Sequence, residues 1–124
     1  MRIILKIYRS IMNGFHGVAH AYSLDESVRL EFIIGVTVYA ILIVFLWPVT
    51  GSQLSLLLLS FFLVLITELV NTSIETLLAR IHPIRHHLIG MSKDIAAGAV
   101  LMAVIFASCV MVILILSKLG VIAW

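Results

Sequence analysis

Between Phe32 and Thr67 the chain carries no Asp, Glu, Lys or Arg, and between Ile95 and Ser117 it again carries none. A bilayer's hydrocarbon core is crossed by about 20 apolar helical residues. The second stretch is therefore long enough for one span, and the first, interrupted by Pro48 and Gly51, for two. Composition points the same way: 63% of residues belong to the AVILMFWYC set and 11% are charged, against about 45–50% and about 25% in soluble domains. A chain of 124 residues could not hide that much apolar surface in water, because small domains leave a large share of their surface exposed. The expectation is an all-α membrane protein, a single domain over residues 1–124.

Other classes fall away quickly. Cys109 is the only cysteine, so no disulfide framework or paired-cysteine metal motif exists. The N-terminal region has basic residues but no uninterrupted apolar run followed by a small-residue cleavage site, and it reads as mature protein. A net charge of +2 is explained by membrane topology rather than by nucleic acid, which is not an expected partner.

From Arg2 to Tyr22 the residues Ile4, Ile7, Tyr8, Ile11, Phe15, Val18 and Tyr22 follow the rhythm of one helix face. Arg2, Lys6, Arg9, Asn13, His16 and His20 occupy the other. That pattern predicts an amphipathic helix over 1–22 lying in the headgroup plane, with Gly14 and Gly17 marking a bend or a close backbone approach. A charged segment, Ser23 to Glu31, precedes the first predicted span, 32–47. A Pro48 to Ser52 turn leads to the second, 53–81, stopped at His82-Pro83. Arg85 to Lys93 reads as a polar connection before the third, 94–117. Trp47 and Trp124 suit interface positions, and Met102, Cys109 and Met111 read as packing residues. Arg2, Lys6, Arg9, Arg29, Arg80, Arg85 and Lys93 fall on one side of these spans and Lys118 alone on the other. The positive-inside rule then places the N-terminus and the connection between the second and third spans in the cytoplasm.

Glu68 ends the uncharged stretch, at a depth where an ionised carboxylate is costly and is by default a functional candidate. Asn71, Thr72 and Glu75 share its face within about 100° of arc, over about 10 Å of rise. Such a stripe must face other helices or a polar cavity, and three spans hardly enclose one, so an oligomer with its site between subunits is expected. Lys93-Asp94 and the small-residue run Ile95 to Ala99 open the third span, setting a cation opposite the carboxylates and allowing close approach. Carboxylates at Glu75 and at Asp25 or Glu26 suit Mg²⁺, which shares phosphate oxygens with a substrate. Lys93 suits phosphate, and Glu68, nearest the lipid, suits the base for an acceptor alcohol. These are the demands of phosphoryl transfer, although no phosphate-binding glycine loop occurs. His82 and His86 lack a third ligand for zinc.

The run Glu68-Leu-Val-Asn71-Thr-Ser-Ile-Glu75, then His86-His87-Leu88, then Lys93-Asp94-Ile-Ala-Ala-Gly-Ala-Val100, resembles the prokaryotic diacylglycerol kinase family of small membrane lipid kinases. Gly17, Ala21, Asp25 and Arg29-x-Glu31 extend the resemblance towards the N-terminus. It implies a homotrimer of three-span subunits with an amphipathic surface helix, in the bacterial inner membrane, with composite sites at the cytoplasmic face. It implies Mg²⁺ and ATP, with Glu68 as general base and Glu75 as metal ligand. Asp25 stands where the family's second metal-holding residue is Glu, with Glu26 beside it. Nucleotide contacts are implied at Lys93, Asp94, His86, Glu75, Lys6 and Asn71, and lipid contacts at Glu68, Ala97, Arg29 and Glu31. Ala79 and Asn13 stand where the family often has an acid and a tyrosine.

The expected activity is phosphorylation of a lipid alcohol by ATP, with 1,2-diacylglycerol favoured and undecaprenol the alternative within the family. A small oligomeric transporter or channel using Glu68 and Glu75, and a non-catalytic interaction protein, are the rivals from other classes.

Overall fold

The computed structural model describes residues 2–81 and 87–123. Four helices account for nearly all of them: α1 (Arg2–Leu24), α2 (Glu26–Leu46), α3 (Gly51–Ile81) and α4 (His87–Lys118). No strand occurs among the described residues. α2, α3 and α4 are each long and apolar enough to cross a membrane, so the chain has the helices of a multi-pass membrane protein.

The helices outrun the predicted spans. α2 begins at Glu26 rather than Phe32, and α4 at His87 rather than Asp94, so the part of the expected polar connection from His87 to Lys93 is helical. Charge marks where the hydrocarbon ends, whereas a helix stops only where its backbone pairing stops, and Glu, Lys and Arg are good helix formers. The charged segment before α2 is likewise mostly helix, broken only at Asp25, whose extended backbone and side chain cap α2. Gly51 does not break a helix but opens α3. Thr50 Oγ1 accepts from the Gln53 N–H at 3.3 Å while Gln53 Oε1 accepts from the Thr50 N–H at 3.0 Å. This reciprocal capping box starts the helix at Gly51 rather than at Gln53. The predicted stop at His82-Pro83, the basic Arg85 and the Trp124 anchor lie outside the described residues.

α3 and α4 form the main packing pair. The buried residues of α4, Ala96, Val100, Ala103, Ala107, Val110 and Leu114, recur at alternating steps of four and three, the seam by which two helices stay in register. Its small residues let the two backbones approach. Towards the Pro48 turn the seam widens into a cluster of Leu42, Leu46, Leu57, Val110 and Leu114. There Lys118 Nζ donates to the Trp47 carbonyl at 3.0 Å, satisfying an acceptor left over at the end of α2. α4 ends in a left-handed Gly120 (φ 72°), with Val121 N–H bonded to Leu116 O and Gly120 N–H to Ser117 O, the Schellman pattern that favours glycine. Midway along the bundle, the Tyr39 and Ser60 hydroxyls bond at 2.8 Å and tie α2 to α3.

α1 packs on α2 and α3. It buries no residue of its own within the chain and is an unbroken helix through Gly14 and Gly17, where an added Cβ would meet nothing within 4 Å. The expected bend or close approach is not made within this chain.

Candidate active site

The carboxylates gather at the end of the bundle away from the Pro48 turn. Glu68, on α3, is 5% exposed. It is the one charged residue lining a cavity of about 380 Å³, whose walls include Phe15, Val18 and Tyr22 of α1, Val28 and Phe32 of α2, and Leu65 of α3. Tyr22 and Phe32 meet edge to face at 5.8 Å, closing α1 onto α2 beside it. An apolar cleft ending in a carboxylate suits a lipid whose hydroxyl must be presented to a proton acceptor.

One turn further along α3, Asn71 Oδ1 is buried without a hydrogen-bond partner, as is Glu31 Oε2 on α2. Buried polar atoms are seldom left so, and an acceptor awaiting a ligand is one physical reason for it. Thr72 Oγ1 donates to Asp25 Oδ2 at 2.8 Å, while Asp25 Oδ1 accepts from the Ser27 N–H at 2.9 Å. Asp25 is thereby joined to the helix face that carries Glu68 and Glu75. Glu75 is half-buried and Glu26 is exposed.

No group of three or more His, Cys, Asp or Glu that could hold a metal ion occurs among the described residues. Mg²⁺ does not require one: it binds through one or two carboxylates and completes its shell with water and phosphate oxygens. Asp25 and Glu75, with the open Asn71 Oδ1 beside them, are a hard-oxygen set of that kind.

A second groove, of about 660 Å³, runs between α1 and α3 and is lined by Gly14, Gly17 and His20 on one side and Thr72, Thr76 and Arg80 on the other. The two glycines leave its α1 wall open.

The family model for prokaryotic diacylglycerol kinase matches residues 12–115. The chain belongs to the prokaryotic diacylglycerol kinase family. It is 32% identical to the diacylglycerol kinase of Escherichia coli K12 over 116 residues, 93% of each chain. It is 35% identical to that of Synechocystis over 99 residues, 79% of this chain and 55% of the relative. The kinship makes it a lipid kinase in kind, and its three apolar helices make it a multi-pass membrane protein.

In this diacylglycerol kinase family member, the structure brings together Asp25, Glu31, Glu68, Asn71, Thr72 and Glu75. It does not bring Lys93 into an ion pair with any carboxylate among the described residues. Within one chain the expected facing of cation and carboxylates is therefore not realised as a contact. Lys93 is half-buried on α4, and Asp94 and Ala97 are exposed. Ala96, not Ala97, enters the seam with α3, and Gly98 has nothing within 4 Å of an added Cβ. Glu31 lines a separate cavity of about 290 Å³ with Gly35, Tyr39, Phe61 and Ser108. Arg29 is half-buried. Lys6 lines a groove of about 540 Å³ with Arg2, Arg9 and Asn13, all from α1. His86 lies outside the described residues.

The Thr72–Asp25 bond and the groove that Arg80 lines are not legible in the sequence. Thr72 was placed on the reactive face with no partner, and Arg80 was counted only for topology.

Proposed function

We propose that the protein transfers the γ-phosphoryl group of ATP to a lipid alcohol, most simply 1,2-diacylglycerol, giving phosphatidic acid and ADP. The observation that carries this is the burial of Glu68 in the wall of an apolar cavity, on the α3 face that carries Asn71 and Glu75 and that Asp25 meets through Thr72. The acceptor's chains lie in the cavity between α1, α2 and α3, with its hydroxyl against Glu68. The hydroxyl oxygen forms a bond to the γ-phosphorus as the bond from phosphorus to the β,γ-bridging oxygen breaks. The hydroxyl proton passes to Glu68, and ADP leaves with the bridging oxygen. Glu75 and Asp25 would hold Mg²⁺ beside the nucleotide, and a bound ion would supply charge neutralisation for the phosphates. The groove between α1 and α3 has the size of a small-molecule site, and Ser73, Thr76 and Arg80 in its wall suit the rest of the nucleotide.

A homotrimer supplies what one chain leaves open. α4 does not pack on α1 among the described residues, and half-buried Lys93 and exposed Asp94 lie in its second turn, where a neighbouring subunit's carboxylates can face them. α1 rests in the headgroup plane of the bacterial inner membrane with its apolar face in lipid. The positive-inside rule puts the site on the cytoplasmic face, where ATP is found.

The test is transfer of labelled γ-phosphate from Mg·ATP by the purified protein in mixed micelles, with diacylglycerol and undecaprenol offered separately. The parent should label diacylglycerol, and Glu68→Gln and Glu75→Gln should not. Labelling of undecaprenol alone would change the acceptor but keep the chemistry. A folded parent that labels neither lipid while passing ions in vesicles would overturn the kinase reading.

A further inference from the structure

Both oxygens of Asp25 are taken, by groups from two different helices. Its backbone is extended (φ −111°, ψ 118°) at the corner between α1 and α2, and Oδ1 caps α2 through the Ser27 N–H. Oδ2 accepts from Thr72 Oγ1 on α3, at 2.8 Å. A carboxylate held at one oxygen can still swing; held at both it has one orientation. An ionised carboxylate has about four lone-pair sites, so two remain for a further ligand. Thr72 follows Asn71 and precedes Glu75 by three residues, so the bond sets the Asp25 carboxylate beside the Glu75 face. Glu26, the neighbouring acid, is exposed. The short Asp side chain can both cap α2 and meet α3 because Thr72 comes to it.

We infer that Thr72 is a positioning residue: its hydroxyl orients Asp25 so that the remaining lone pairs of Asp25 and the carboxylate of Glu75 converge on one divalent cation. This rests on the metal assignment proposed above. Thr72 itself touches neither the metal nor the phosphates and acts only through Asp25. A purely structural bond between α2 and α3 would cost stability when removed but would leave metal affinity alone, which separates the two roles.

The probe is Mn²⁺, titrated by EPR into the purified full-length protein in micelles with a non-hydrolysable ATP analogue, using parent, Thr72→Val, Thr72→Ala, Thr72→Ser, Asp25→Asn and the Thr72→Val/Asp25→Asn double variant. Removing the hydroxyl should weaken Mn²⁺ binding about tenfold, the loss of a hydrogen bond to a charged group, and Thr72→Ser should restore it. In the Asp25→Asn background Thr72→Val should add nothing, since its effect passes through the carboxylate. Thermal unfolding of each variant reads folding separately, and Thr72→Ala keeps the test valid where valine disturbs packing. Parent-like Mn²⁺ affinity in folded Thr72→Val or Thr72→Ala overturns the inference, as does an equal loss with and without the Asp25 carboxylate. A parent that phosphorylates lipid while Asp25→Asn binds Mn²⁺ unchanged sinks this inference and leaves the kinase reading standing. A folded parent that transfers no phosphate removes both.

Discussion

The two ends of the bundle are built on opposite principles. At the turn end, Leu57 and Leu114 are fully buried, Lys118 meets the Trp47 carbonyl, Thr50 and Gln53 cap each other's amides, and Gly120 closes α4. At the carboxylate end, Glu68 is buried, acceptors on Asn71 and Glu31 have no partner, and two grooves separate α1 from its neighbours. A folding chain normally pairs its buried polar atoms. The proposed site lies at the end with the unpartnered acceptors, and the paired end holds the helices in register.

The sharpest way to break this contrast is to disable one end and watch the other. Glu68→Gln should lower lipid phosphorylation at least about a hundredfold, the loss of a general base, while thermal unfolding stays close to the parent's. Unchanged turnover would mean that the buried carboxylate is only packing. Leu114→Ala should do the converse, costing about 2 kcal/mol in reversible unfolding. That is the low end of the range for such cavities, because lipid tails are as apolar as leucine and return part of the loss. Its turnover below the unfolding temperature should match the parent's, and a large fall there would show that the ends are coupled.

A finer cut concerns the groove between α1 and α3. Gly17→Leu places a side chain in open space, so the fold should tolerate it, but the apparent KM for ATP should rise about tenfold, equivalent to 1.4 kcal/mol of binding. A KM that does not move would take the nucleotide out of this groove. The smallest effect is expected between the two ends. Ser60→Ala removes the hydrogen bond to Tyr39 and should cost about 0.6 kcal/mol, the mean for intramembrane side-chain bonds, with no change in KM for either substrate.

Much of this was readable from residue order, for reasons that are local. Three membrane helices follow from two uncharged stretches and a proline, and the shared face of Glu68, Asn71, Thr72 and Glu75 follows from helical periodicity alone. α2 and α4 begin before the predicted spans because charge reports depth in a bilayer, not the end of backbone pairing. α3 begins two residues before the predicted span because the side chains of Thr50 and Gln53 cap it.

Whether Asp25 or Glu26 serves the site was undecidable in one dimension, since both lie next to the same helix face in sequence. The corner between α1 and α2 makes Asp25 the cap of α2 and turns its second oxygen to Thr72, while Glu26 stays exposed. The cavities around Glu68 and beside Arg80 belong to the same class of fact. Burial of a side chain on a helix depends on which neighbour crosses it and at what depth, and those crossings arise from contacts between residues far apart in the chain. Composition and periodicity carry which segments become helices and which face of each is polar; only the packed structure carries what those faces meet.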